Sequence, residues 1–205
     1  MHTPQRPAKV LQYQDIKETI ENVPDNTDQF LFAISYANGT RVSEAMGVTA
    51  EDITWNNDFV YVRTKVLKKR TKKELWRNPP ISRTKEKWLA NIILSHAMPV
   101  KAKWEQNKNE EIVLGNPVPA APKLIRYCVR TAQRRFDHYF KCTSHSFRHT
   151  RATHCIVLFG MNMHMVVDFF RVSPRASMEW AMRYGHLETK DIEKHWDKSE
   201  VKVNE

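Results

Sequence analysis

Apolar residues recur every three or four positions through most of this chain, a spacing that predicts helices. Ile16, Ile20 and Val23 mark a short amphipathic helix over Gln12 to Val23. A second helix, Asp28 to Ala37, carries Phe30, Leu31, Ile34 and Ala37 as a core stripe, with Asp25-Asn26-Thr27 able to cap its start. Asn38-Gly39 stops it, because both residues tolerate a left-handed backbone. Val42, Ala45 and Met46 face inward from one further turn that ends at Gly47.

The period then changes to two. Phe59 to Arg63 (FVYVR) alternates as a strand, and Lys73 to Ile81 returns as a second one closed by Pro79 and Pro80. Helical spacing resumes over Arg83 to His96, with Trp88, Leu89, Ile92, Ile93 and Leu94 available for the core. Met98 to Ala121 is polar and proline-bearing and reads as a long surface connection. Lys123 to Phe140 reads as a basic helix with Leu124, Tyr127, Cys128 and Ala132 on its apolar side and Arg126, Arg130, Arg134 and Arg135 on its charged side. Helices follow at Thr143 to His154 and Met163 to Phe170. After a break at Ser173-Pro174 comes a helix from Ala176 to Tyr184, then a last short helix or arm from Leu187 to Trp196. The pattern is α+β, mainly helical with a small antiparallel hairpin or sheet. Residues 1–9 read as a flexible lead-in and 10–205 as one domain.

Composition narrows the partners. The net charge is +10 over 205 residues, which favours a polyanion, and nucleic acid over membrane since no amphipathic basic anchor is visible. No apolar run approaches the ~20 residues of a membrane span. The first ten residues do not resemble a signal peptide. Three cysteines without metal-ligand spacing read as free intracellular thiols. The segment Lys65 to Lys73 holds six Lys/Arg in nine residues. Such a run is commonly a solvated turn, but Lys68, Lys69, Arg70 and Lys72 also have the charge to enter a groove of DNA. Arg130 and Arg134 extend the same potential on the basic helix.

TSHSFRHTRATH, residues 143–154, concentrates the candidate chemistry. His145 and Arg148 lie three apart and share a helix face. A guanidinium offers a planar fork suited to phosphate, and an imidazole beside it can donate or relay a proton. Taken in order with GTRVSEAMGVTAEDI at residues 39–53 and the basic hairpin, this motif resembles the catalytic domain of the tyrosine recombinases, or phage-type integrases. The resemblance runs from about Val10 to about Trp196.

It implies roles for particular residues. Arg41 matches the first catalytic arginine, with Glu44 its acidic neighbour. His145 and Arg148 match the His-x-x-Arg pair. Lys65 falls where the hairpin lysine is expected, with Lys68 and Lys69 as rivals. Near the end, Met182-Arg183-Tyr184-Gly185-His186-Leu187 is similar to the nucleophile segment, which makes Tyr184 the nucleophile. Reading Gly185-His186 as the family's Gly-His motif instead demands a later tyrosine, and residues 187–205 contain none. The phosphate-binding histidine expected before the tyrosine is missing. Counting back from Tyr184 puts Arg175 in its place, and local pattern puts Arg171 or Val172 there.

The function implied is cleavage and rejoining of double-stranded DNA through a 3′-phosphotyrosyl intermediate, without metal, ATP or other cofactor. Self-association as a dimer or tetramer on DNA goes with it. The chain would comprise the catalytic domain without the N-terminal DNA-clamping domain common in the family. Two other readings stay open: a recombinase-fold protein that binds DNA without cutting, and a topoisomerase-like relative.

Overall fold

The computed structural model describes residues 10–67 and 74–171. Seven α-helices and five short strands follow in chain order among these residues: α1 (Tyr13–Glu21), α2 (Asn26–Asn38), α3 (Val42–Ala45), β1 (Ile53–Trp55), β2 (Phe59–Val62), β3 (Thr64–Lys65), β4 (Trp76–Arg77), β5 (Pro80–Ser82), α4 (Lys87–Val113), α5 (Val129–Phe140), α6 (Ser144–Val157) and α7 (Met163–Phe170). The expected mainly helical α+β architecture is present. None of the described helices is long and apolar enough to cross a membrane.

α2 is the central rod. Asp25 caps it by accepting the Thr27 and Asp28 N–H groups, each at 2.9 Å. Every residue from Phe30 to Asn38 is buried, as befits a helix wrapped by neighbours on all sides; α1, α3, α4, α5 and α6 pack around it. Phe32 anchors an aromatic cluster, with Phe136, Phe140 and Phe147 presenting their edges or tilted rings to it at 4.8–6.3 Å. A smaller cluster of Ala152, Cys155, Val166 and Phe170 joins α7 to α6.

The sheet is more divided than a plain hairpin. β1, β2 and β5 form an antiparallel trio in the order β1-β2-β5, and β3 pairs with β4 as a separate ribbon. The expected strand from Lys73 to Ile81 is thus split at Asn78-Pro79. Pro80 opens β5 instead of closing its predecessor, which is possible because β5 is an edge strand. β1 was not anticipated.

Two further expectations are corrected. Of the surface connection expected over Met98 to Ala121, residues 98–113 are instead the second half of α4, which continues through Pro99 to Val113, and only the remainder is irregular. Lys, Ala, Glu and Gln favour helix there, while Val100 and Trp104, four apart, pack against the core. Trp104 Nε1 also donates to the Pro119 carbonyl at 3.1 Å. The basic helix is shorter than expected. Residues 122–125 run extended beside 48–50, with Leu124 N donating to Val48 O at 3.1 Å and Ala50 N to Pro122 O at 3.0 Å. The helix begins only at Val129.

Candidate active site

α6 begins at its N-cap Thr143, immediately after the left-handed residue Lys141 has ended α5. The short connection fixes where the first turn of α6 lies, and with it His145 and Arg148. His145 is exposed, its ring edge-on to His149 at 4.5 Å. Arg148, expected to stand beside it on the same helix face, is instead buried, at 6% exposed. Its Nη1 donates to the Gly39 carbonyl at 2.6 Å, and its guanidinium lies 4.8 Å from the centre of the Phe170 ring. Gly39 is left-handed (φ 53°), and a Cβ there would overlap that same ring. Glycine is therefore required both by the backbone and by the approach of Phe170.

The Gly39 carbonyl that holds Arg148 lies two residues before Arg41, the N-cap of α3. Arg41 is 37% exposed in its side chain and donates through Nη1 to Glu44 at 3.0 Å; its backbone N–H donates to the other Glu44 oxygen at 3.0 Å. Glu44 is buried and also takes a hydrogen bond from Arg77 on β4. Burial alone would raise the Glu44 carboxyl, but the charges of Arg77 and Arg41 and the Arg41 N–H outweigh it and hold its pKa below the usual range. Glu44 thus ties α3 to the β3–β4 ribbon.

Lys65 sits on that ribbon, its Cα paired with Trp76 and flanking the Thr64–Arg77 pair. Its ammonium pairs with Glu74 and lies 5.7 Å from the Trp76 ring centre. Arg41, Lys65 and Arg148 are therefore linked through Gly39, Glu44 and Arg77 into one region, with His145 one helical turn before Arg148. Arg130 and Arg134 are exposed on α5, where Arg134 and Arg135 help line a surface depression of about 400 Å³ with Thr131 and His138. Arg135 is drawn towards Asp28 at 3.4 Å. Lys68, Lys69, Arg70, Lys72, Arg175 and Tyr184 lie outside the described residues. Arg171, the other place considered for the third cation, is the left-handed C-cap of α7.

Sequence reasoning missed the supports behind these side chains. Arg77 stands in a short strand among other basic residues, and nothing in its spacing marks it as buried. Arg151, one turn beyond Arg148, likewise has nothing in its spacing that marks it as buried. It is 1% exposed in its side chain, clamped by both Glu86 oxygens and stacked 5.0 Å from the Tyr36 ring centre. Burial opposes its charge, but the Glu86 carboxylate prevails and pushes its pKa up. Beside it, Tyr36 Oη and His154 Nδ1 are 2.7 Å apart. Burial, and then the Arg151 charge, lowers His154 to about 4.

Comparison with known proteins bears on the family and the fold. A family model described as the phage integrase family matches residues 9–189. The tyrosine recombinase XerC of Thermodesulfovibrio yellowstonii is 22% identical over 172 residues, covering 84% of this chain and 54% of that protein. The chain thus spans about half the length of that curated relative. Among solved structures, the catalytic domain of bacteriophage HP1 integrase superposes with a TM-score of 0.55 at 18% identity, covering 94% of this chain and 95% of that one. XerA recombinase gives 0.57 at 15%, covering 96% and 65%. XerH recombinase in a pre-cleavage complex with its difH substrate gives 0.57 at 14%, covering 95% and 55%. These structures share the fold.

Proposed function

This chain belongs to the phage integrase family, and we propose on that premise that it breaks and rejoins double-stranded DNA in site-specific recombination. A phenol of pKa about 10 is only about one-thousandth ionised at pH 7, a handicap of roughly 4 kcal/mol. The site must offset this by holding the scissile phosphate among cations. Arg41 and Arg148 bind the non-bridging oxygens and stabilise the charge that builds as phosphorus becomes five-coordinate. Tyr184 attacks phosphorus while the bond to the 5′-oxygen breaks, and Lys65 gives that oxygen a proton. His145 takes the phenol proton or donates a hydrogen bond to the phosphate. Arg175 supplies the third cationic contact. Attack by a 5′-hydroxyl reverses the step, so rejoining needs neither ATP nor a metal.

Lys68, Lys69, Arg70 and Lys72, with Arg130 and Arg134 on α5, bind the duplex backbone. Two or four copies assemble on the DNA, within the cell. The observation that carries this reading is the fixing of Arg148 on the Gly39 carbonyl, two residues from Arg41. That contact joins two motifs more than a hundred residues apart in the chain. Lys65 must leave Glu74 to reach the leaving oxygen.

A nicked duplex that loses its 5′-hydroxyl fragment after cleavage tests the proposal. The wild-type protein should become covalently attached to it, and Tyr184→Phe, which keeps the ring, should bind the duplex without attaching. Tight duplex binding with no attachment by the wild type would leave a DNA-binding protein and remove the enzyme.

A further inference from the structure

The strand that delivers Lys65 has a second surface. From Phe59 to Leu67 burial alternates without interruption: Val60, Val62, Thr64 and Val66 are buried, while on the other side Phe59 and Arg63 are exposed and Tyr61 and Lys65 half-buried. The alternation passes from β2 into β3, so the outward side chains form one stripe although the strands belong to two sheets. Successive members stand about 6.6 Å apart along the strand. Phe59 is 36% exposed, and its ring centre is 6.2 Å from that of Tyr61. The Arg63 side chain is 46% exposed and braced by Asp52 at 2.8 Å, its guanidinium 4.8 Å from the Trp76 ring centre. Trp76, opposite Lys65, is 36% exposed.

The order is two aromatics, then two cations, ending on the proposed general acid. Aromatic residues serve strand packing as well, but packing does not call for two fixed cations in line with them. Aromatic rings with adjacent fixed cations are what a single strand needs, since each base has a π-face and each phosphate a charge. Fully paired DNA hides its base faces in the stack and cannot use the rings.

We propose that the outer face of β2 and β3 is a stacking platform for unpaired DNA bases beside the reacting phosphate, with Phe59 and Tyr61 taking bases and Arg63 a backbone phosphate. It rests on the function proposed above, because breaking and exchanging strands leaves bases next to the break without partners. The platform would hold that strand end close to Lys65 until it is rejoined.

Two probes separate the platform from the function: an oligothymidylate of about 16 nucleotides, and a fully paired duplex of the same length. The variant Phe59→Leu/Tyr61→Leu keeps apolar bulk on the strand but removes both π-faces, and Tyr61→Phe keeps the ring. Fluorescence anisotropy should show oligothymidylate affinity falling roughly 5- to 150-fold per lost stacked base in the double variant. Tyr61→Phe should match wild type, and duplex affinity should be unchanged in both variants. An unchanged oligothymidylate affinity in the double variant, or an equal loss on both probes, would overturn the platform. Absence of duplex binding by wild type would instead sink the recombinase reading, while the single-strand arm would still decide the platform.

Discussion

Arg148 and Arg151 lie one turn apart on α6 and are both buried, yet the helix presents them to different surroundings. On the side facing Gly39 and α7, Arg148 is oriented by a backbone carbonyl and by the face of Phe170. A carbonyl dipole and a ring quadrupole both act to aim the guanidinium. On the side facing α4, Arg151 is held by a carboxylate through two hydrogen bonds and is electrostatically satisfied. One helix thus carries two arginines in different surroundings. The first arginine is the one proposed to meet the phosphate; the second ties the helix that carries it to Glu86.

The largest test of that division is thermodynamic. Arg151→Met strands the buried Glu86 carboxylate and should lower stability by about 3–5 kcal/mol, read from denaturant midpoints. Adding Glu86→Met removes the stranded charge and should restore most of it. Cleavage by the folded fraction should be unchanged. A variant that kept its midpoint but lost cleavage would reverse the two roles.

Slightly smaller, and on the other readout, is Arg148→Lys. A point ammonium cannot reproduce the planar fork, so single-turnover cleavage should slow by roughly 10²–10³. The denaturation midpoint should move less than in Arg151→Met. Equal damage to both quantities would mean that Arg148 is mainly a packing residue.

The third expectation concerns pH and belongs to the Arg151 side alone. His154 faces Tyr36 and Tyr13, with Arg151 and Glu86 close by. Its folded pKa of about 4 lies below the ordinary value of about 6.5. The unfolded chain therefore binds the extra proton first, and stability falls as pH drops through that window. The loss reaches about 3 kcal/mol near pH 4 and levels off below it. His154→Gln should flatten this acid slope, which urea titrations at several pH values would show. A slope unaltered by the substitution would place the acid sensitivity elsewhere.

The sequence announced the two sides of α6 unequally. Periodicity was enough for α2, α6 and α7, because Phe30, Phe147 and Phe170 sit at helical spacing within compact apolar stripes. It failed at α4, where Pro99 reads as a stop but the residues around it are good helix formers anchored by Trp104. It failed also at residues 123–128, where Leu124 follows helical spacing but pairs in an extended stretch. Motif order brought Arg41, Lys65, His145 and Arg148 forward as candidates. The groups that hold them were illegible, since Arg77 meets Glu44, and Arg151 meets Glu86, only after the chain has folded. A buried ion pair between residues 65 apart leaves no local pattern.

Cleavage through a tyrosine leaves a covalent bond to DNA, and the most direct measurement is to locate it. Wild-type protein trapped on a nicked duplex, digested and sequenced by tandem mass spectrometry, should carry a nucleotide 3′-phosphate on Tyr184 and on no other residue. Attachment elsewhere, or none at all from protein that binds the duplex tightly, would contradict cleavage through Tyr184.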